Sequence, residues 1–527
     1  MVTDQNTEIE VKLTTNVARL DKMRTTALLA GKNSSRVTTT TRYFDTADWR
    51  LHTAGLQLRT RYRRGAKSAI QTVKSELQIG DATVSRGEWS CVAKPLHPDI
   101  AAFPDIVGTH LQQALGDAQL LCFAHSDIDR ETRQITYNHT QIEVAFDTVK
   151  LTAGKHHSAF HELECELKSG TLTGLFDFIL TLPLGPELSW STNSKGERAR
   201  LLANSEQRGV AKLPPLHLDP YSTPTAAFCH IEWQCFRNLL HNYMIIIETQ
   251  DAEAVHQTRV ALRRMLSCLA LFEKPVMDHE NQMLAAGLKA AAQSLSATRS
   301  VDVLIAQRQK FSDDSGRLLD ANCVLEIHVA DRRSSICAEA VDVLTSAHFQ
   351  RLLIRLALQM EGETRQQDEP LNADSLVDHA RHCLHKCHSA VMKYGTNVKT
   401  MTAKERHHLR ITAKRLRDMC EFFVSLFPRH ANHAKQTLYF KALEKIQAHL
   451  GDLNDLADAQ SAIDLLCADL NNVETVSIKR ALEDALREHS FSKPKHFHKA
   501  NKAIKSLRDI KPFWALKNTA VAKKVST

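Results

Sequence analysis

Residues 8–13 read EIEVKL, and this alternation decides what kind of fold the chain begins with. In a strand, successive side chains point to opposite faces. Glu8, Glu10 and Lys12 therefore share one face, and Ile9, Val11 and Leu13 share the other. The device returns downstream: Arg59 and Arg61 alternate with Leu58, Arg86 sits two residues from Glu88, and Glu162, Glu164 and Glu166 alternate with Leu163, Cys165 and Leu167. The polar positions are almost purely charged and sort by strand, acids on the first and last and arginines between. A solvated sheet face normally mixes in Ser, Thr and Gln. Charges sorted in this way suit an antiparallel sheet closed on itself, with a polar bore and an apolar outside covered by helices.

A bore of that kind needs ions. Five glutamates in one cavity repel each other and take up protons unless cations neutralise them. Carboxylate oxygens suit the hard ions Mg²⁺ and Mn²⁺, while Lys and Arg suit phosphate oxygens. A divalent ion bridging carboxylates and a polyanion resolves both repulsions together. Phosphoryl transfer has that requirement, because most of its catalysis is positioning and charge stabilisation.

Around this segment, 527 residues are too many for one ordinary core, so an α+β multidomain chain is expected. Up to about residue 200, short alternating segments such as TTRYFDT, LQLRTRYR and TQIEVAFDTVKL are separated by turn residues, with helical spacing over 16–30 and 101–115. Pro214, Pro215, Pro220 and Pro224 then mark a linker over 206–224. Beyond it the periods lie near 3.6 and glycines are few, which predicts helices. Up to residue 205 there are 24 basic against 23 acidic residues, and beyond it 44 against 37, so the helical part carries most of the net +8. A basic surplus suits nucleic acid, anionic lipid or phosphate polymers. Twelve scattered cysteines without CxxC pairs point to a reducing, cytoplasmic setting. A polar first stretch and the lack of an apolar run of roughly 18 residues give no reason to expect a membrane partner.

The ordered series E-x-E-x-K, YFDT, LRTR, TVK, RGE, the Arg130 segment, VAFD and ELECEL resembles the CYTH, or triphosphate tunnel metalloenzyme, family over roughly residues 1–205. The resemblance implies an eight-stranded antiparallel tunnel that hydrolyses a triphosphate with Mg²⁺ or Mn²⁺. By motif, Lys12, Arg59, Arg61, Lys74, Arg86 and Arg130 would grip the phosphates, joined by Lys195 and Arg198 of SKGERARLL. Glu8, Glu10, Glu162, Glu164 and Glu166 would hold the metal. Ser90 stands where many relatives carry an acid.

The helical part repeats itself. His256, Arg259, Arg263 and Arg264 in HQTRVALRR recur as His407, Arg410, Lys414 and Arg415 in HHLRITAKR, 151 residues later. At 100° per residue, His256, Arg259 and Arg263 fall within about 60° of one another, beside an apolar stripe. Two such helices suggest duplicated helical bundles. Regularly spaced cations suit a linear polyanion. Nucleic acid is disfavoured: no finger, helix-turn-helix or RNP pattern appears, and a 6% aromatic content offers few stacking platforms. VHQTRVALRRML, HHLRITAKRLRDMCEFF and LGDLNDLADA resemble the CHAD family over 225–510, followed by a basic tail at 511–527. That resemblance implies inorganic polyphosphate binding, with His256, Arg259, Arg263, Arg264, His407, Arg410, Lys414, Arg415 and Arg417 as contacts. HCLHKCHS at 382–389 is read as a helix whose histidines spread around the cylinder, not as a zinc site.

Together these readings predict an inorganic triphosphatase with a polyphosphate-binding partner domain. A non-catalytic polyphosphate scaffold, hydrolysis of thiamine triphosphate or a nucleoside triphosphate, and cyclisation of ATP remain open, since phosphates are common to all.

Overall fold

The computed structural model describes residues 7–29, 33–75, 85–271, 279–315, 322–365, 376–394, 397–427, 429–468, 479, 483 and 493–515. By compactness the chain divides into two units, one of residues 1–211, 240–245 and 344–365, the other of residues 212–239, 246–343 and 366–527.

The first unit is built on nine described strands: β1 (Thr7–Thr15), β2 (Ser34–Asp45), β3 (Leu56–Arg63), β4 (Ala69–Ser75), β5 (Ser85–Ala93), β6 (Leu121–Tyr137), β7 (Thr140–Ala153), β8 (His156–Ser169) and β9 (Leu188–Ser191). They form one antiparallel sheet in the order β5-β4-β3-β2-β6-β7-β8-β1-β9. β1 also pairs with β5, placing Glu8 opposite Arg86, so eight strands close into a barrel. β9, the short LSWS stretch, lies along the remainder of β1 from Lys12 to Thr15. Closure gives the alternation its meaning, because a closed sheet has one inside and one outside. Val11, Leu13, Leu163 and Cys165 are buried within 1% of full burial, as expected for an outer face under cover.

That cover comes from short helices. α1 (Val17–Arg24) is capped by Asn16, whose Oδ1 accepts from the Arg19 amide at 2.8 Å, and it contacts β7 and β8. It stops at Arg24, short of the 16–30 expected, with Thr25–Leu29 in turns. After α2 (Arg50–Thr53), α3 (Asp105–Leu115) starts later than its helical spacing suggests, following a 3₁₀ turn at Ile100–Ala102 and Phe103-Pro104. Proline biases its predecessor away from helical geometry, which places the boundary there. Val107, Leu111 and Leu115 of α3 join Phe44, Leu58 and Val73 of the sheet in one apolar cluster. α4 (Leu172–Thr181) packs on the segment Ala347–Arg365, where Arg351 donates to the Leu180 carbonyl at 3.0 Å. α5 (Lys195–Asn204) contacts β6, β7 and β8 and is capped by Ser194, whose Oγ accepts from the Glu197 amide at 3.0 Å.

The rest is helical, as the 3.6 period predicts: α6 (Pro224–Thr249), α7 (Ala252–Leu271), α8 (His279–Ser315), α9 (Asn322–Thr345), α10 (Ala347–Arg365), α11 (Leu376–Met392), α12 (Ala403–Phe423), α13 (Arg429–Leu466) and α14 (Lys493–Asp509). α10 is the segment that packs on α4. The two sequence repeats fall on α7 and α12, which contact each other within the second unit. A reciprocal cap starts α12: Thr402 Oγ accepts from the Glu405 amide at 3.2 Å, and Glu405 Oε2 accepts from the Thr402 amide at 2.7 Å. In α11, Cys383 and Cys387 are buried and His388 hydrogen-bonds the Tyr439 hydroxyl at 2.7 Å. No helix among the described residues is long and apolar enough to cross a membrane. The tail beyond Ala515 lies outside the described residues.

Candidate functional site

Inside the barrel, Lys12, Arg59, Arg61, Lys74, Arg130 and Lys195 line one cavity with Glu10 and Glu164. Its volume is about 530 Å³, part of it shared with open solvent. Register explains the convergence. Lys12 stands opposite Glu164 across β1 and β8, Arg130 opposite Asp147 across β6 and β7, and Asp147 opposite Glu162 across β7 and β8.

The acidic side of the cavity is tightly built. Carboxylate oxygens of Asp147, Glu162 and Glu164, all buried, lie within 4.8 Å of one another. Lys195, at the first position of α5, reaches into this group: its Nζ is 2.8 Å from Asp147, 2.7 Å from Glu162 and 2.7 Å from Glu164. Arg130 donates to Asp147 at 2.7 Å through Nε and also to Glu164. Burial by itself would push the Glu164 carboxyl up, but Lys195, Arg130 and Lys12 hold it well below the usual range. Burial likewise opposes ionisation of Asp147, and Lys195 and Arg130 overcome it. Lys195 answers in kind, with burial outweighed by the three carboxylates, so its ammonium stays protonated far into the alkaline range. α5 can approach this closely because residue 196 is glycine. A Cβ there would stand 2.6 Å from Gln57 Oε1.

On the basic side, cations crowd one another. Arg59 and Lys74 share Glu88, at 3.4 and 3.2 Å. Arg61 donates to the Thr41 hydroxyl at 3.2 Å, and the charges of Arg59, then burial, then Arg130 depress its pKa to about 10. The guanidinium is charged at neutral pH, and the like charges of Arg59 and Arg130 outweigh the offset from Tyr43 and Asp147.

Three carboxylates with converging oxygens form a hard donor set, which fits Mg²⁺ or Mn²⁺. The Lys195 ammonium now stands as the cation among them.

Of the residues expected at a metal, Glu162 and Glu164 are in this group and Glu10 lines the cavity 2.6 Å from Lys12. Glu166 instead pairs with Lys168 at 2.6 Å. Glu8 and Arg86 face each other in register, and their side chains lie outside the described residues. Arg198 lies 3.6 Å from Glu162 and stacks over Phe160. Ser90 hydrogen-bonds Thr72 at 2.9 Å. Asp147, the last residue of VAFD, carries no alternation signal: it sits in a run of buried residues, and only the strand register sets it beside Glu162.

In the helical unit a second cluster forms. Burial first, then Arg299, depresses His256 to about 4, with Arg263 and Lys414 adding to the effect against Glu253. Burial and then Arg299, Arg263 and Arg410 depress Arg259 to about 10. Thus His256, Arg259 and Arg263 of α7, Arg410 and Lys414 of α12, and Arg299 of α8 act on one another. Arg299 lies in TRSVDVL, the first-half counterpart of the LNDL segment, in which the sequence pattern singles out no cation. Arg259 donates to the Ala292 carbonyl and the Ser296 hydroxyl at 2.8 and 2.6 Å. Arg263 is held by buried Asp418 at 3.0 Å, Arg264 by Glu421 at 2.7 Å, and Arg417 by Glu421 at 2.8 Å. Arg415 donates to the Ala270 carbonyl at 3.2 Å, and His407 is exposed near the start of α12.

Residues 6–181 match the CYTH domain and residues 231–464 match the CHAD domain. The chain carries a CYTH domain followed by a CHAD domain. The CYTH region is 28% identical over 164 residues to an inorganic triphosphatase from Haemophilus influenzae, an alignment of 31% of this chain and 46% of that protein. The chain thus spans about half the length of the curated relative it matches. Among solved structures, it is similar to the CHAD domain of the plant Ricinus communis, with 25% identity over 57% of this chain and 98% of that one, at a TM-score of 0.47. It is also similar to an adenylyl cyclase candidate from Hippeastrum described as having a dominant triphosphatase activity, with 17% identity over 38% of this chain and 97% of that one, at a TM-score of 0.25.

Proposed function

We propose that the chain hydrolyses inorganic triphosphate to pyrophosphate and phosphate in the CYTH barrel, with Mg²⁺ or Mn²⁺, and that its CHAD domain binds inorganic polyphosphate. The observation that carries the reading is Arg61, a guanidinium held among Arg59 and Arg130 in a cavity whose opposite wall is carboxylate. A polyanion entering there turns repulsion among cations into attraction. The activity named for the Haemophilus relative supports the same substrate class.

In this reading Lys12, Arg59, Arg61, Lys74 and Arg130 bind phosphoryl oxygens and hold the chain of phosphates in line, which is where most of the rate enhancement for phosphoryl transfer arises. A water oxygen joins the terminal phosphorus as its bond to the bridging oxygen breaks; pyrophosphate leaves with that oxygen, and a proton is released. Glu10, Asp147, Glu162 and Glu164 would hold the divalent ion, which when bound neutralises phosphoryl charge and acidifies water. Lys195 and Arg130 keep the carboxylates ionised and fixed between turnovers.

The functional division is proposed as 1–205 for hydrolysis, 206–224 as linker, 225–510 for polymer binding and 511–527 as tail. A cytoplasmic setting suits the free thiols, most of them buried. The depressed Arg259 and His256 support a polyanion in the CHAD cluster. Phosphate release from tripolyphosphate, measured with Mg²⁺, with Mn²⁺ and with neither, tests the reading. Metal-dependent turnover that collapses in Lys12→Ala and Glu10→Ala is expected. Wild-type protein inert with both metals would remove the enzymatic claim and leave a binding scaffold.

A further inference from the structure

Helices α13 and α14, which pack against each other in the second unit, bring together three metal-seeking side chains that neither site above uses. His449 and Asp452 are three residues apart on α13, so they share a face. His496 comes from the first turn of α14. One ligand atom from each lies within 4.8 Å of the other two. His496 Nδ1 is 2.8 Å, and His449 Nδ1 3.9 Å, from the same Asp452 oxygen. The two rings are 5.7 Å apart and inclined at 59°, so they flank a shared space without stacking.

We infer that His449, Asp452 and His496 form a binding site for a divalent ion of the zinc class, with one coordination position left to water or an anion. An ordinary His496–Asp452 ion pair accounts for one of the distances. It leaves His449 Nδ1 buried and 3.9 Å from that carboxylate, too far for an ordinary hydrogen bond, at an atom that an ion between the three groups would satisfy. Two imidazoles and one carboxylate around an open position form a donor set for borderline ions. Lys499 adds positive charge close to His449, which raises the cost of any cation there. Nitrogen donors must therefore carry the affinity, and that selects zinc-class ions over Mg²⁺ and Ca²⁺. Bound, the ion ties the start of α14 to α13 and contributes its binding energy to folding of the helical unit.

The test uses the full chain freed of metal, with Co²⁺ as a visible probe and Zn²⁺ as its competitor. Four-coordinate cobalt absorbs far more intensely than the six-coordinate ion that carboxylates and water give, so the barrel carboxylates do not mimic the signal. One equivalent of an intense band, displaced by Zn²⁺ and lost in His449→Gln and in His496→Gln variants with unchanged helical circular dichroism, is expected. Zn²⁺ should also raise the melting temperature of the wild-type helical unit. Wild-type protein with neither an intense cobalt band nor a zinc-dependent melting shift overturns the site, whatever the variants do. A band that persists undiminished in both variants does so too.

Discussion

In the barrel, the Lys195 ammonium meets three carboxylates at 2.7–2.8 Å, whereas in the helical unit Arg259 meets a carbonyl, a hydroxyl and the like charges of Arg299, Arg263 and Arg410. Both are cations on helices, Lys195 buried and Arg259 half-buried. They differ in what balances them. A cation locked among anions is part of the scaffold, and removing it exposes buried charge of the other sign. A cation held among cations is a debt that only an incoming anion settles. The barrel contains both kinds within one cavity, because Arg61 belongs to the second. Chemistry on a phosphate needs a place for metal and a place for anion; binding a phosphate polymer needs only the latter. Of the acids that act on the helical cluster, Asp418 is committed to Arg263 and Glu253 only partly offsets the field at His256.

The sharpest way to break this comparison is to exchange the anchored cation. Lys195→Met leaves Asp147, Glu162 and Glu164 facing one another with less compensation, and stability should fall by about 3–5 kcal/mol, read from urea unfolding. The pH dependence has a definite sign. Asp147 and Glu164 titrate below their ordinary values in the folded protein, so their contribution is present above the ordinary carboxylate pKa and is lost as pH falls through the depressed one. In the variant that loss should begin at higher pH. An unchanged midpoint would mean that Arg130 and Arg198 suffice as counter-charges.

Arg61→Ala supplies the opposite case. Turnover of tripolyphosphate should drop by roughly 10²–10³, the scale of losing one preorganised charge partner of a transition state. The fold should keep or slightly gain stability, because a cation whose pKa is lowered to about 10 by Arg59, burial and Arg130 is held against its own repulsion. Parallel kinetics and thermal melts check this. A large melting loss in Arg61→Ala would place Arg61 with Lys195 as scaffold.

What could be read in the sequence follows the same divide between local and tertiary information. Period-two alternation in EIEVKL and ELECEL gives face and strand without any partner, so Lys12, Glu162 and Glu164 are legible. Asp147 was not, because it sits among buried Val144, Ala145 and Phe146 and gains its meaning from the β7–β8 register. Lys195 is legible only through the family resemblance of SKGERARLL, and its place at the centre of the carboxylates depends on Gly196 letting α5 close in on Gln57. Charge sorting points to a closed barrel, but not to closure through Glu8 and Arg86 and not to β9, whose four residues carry too little periodicity. In the helical unit the duplicated HxxR pattern points to α7 and α12, while Arg299 on α8 lies outside that pattern and enters only through packing.

A milder probe of the helical cluster is its salt dependence. Each cation that neutralises a phosphate releases counterions, so the log–log slope of affinity against salt counts contacts. Arg259→Ala should lower that slope for long-chain polyphosphate by roughly one. Arg417→Ala, whose guanidinium is bound to Glu421, should lower it by less. Equal slopes in the two variants would erase the distinction between balanced and unbalanced cations.

The smallest effect expected lies in His256. Burial and Arg299 hold its imidazole neutral down to about pH 4 in the ligand-free protein, although an unfolded chain would protonate it near 6.5. Between those values the unfolded state binds more protons than the folded one, so His256 costs stability as pH falls through that window. A bound polyanion reverses the local field: its charge offsets Arg299, Arg263 and Lys414 and raises the imidazole pKa toward its ordinary value. The complex then binds more protons than the free protein, and by linkage affinity must rise as pH is lowered, by at most about tenfold per unit for this one group. Titrations of polyphosphate at pH 7.5 and 5.5 should therefore show tighter binding at the lower pH, with the difference reduced in His256→Ala. Because the chain's other histidines and the polymer's end groups titrate equally in both proteins, the gap between wild type and variant isolates His256, and its absence would show that the imidazole stands outside the field of the bound polymer.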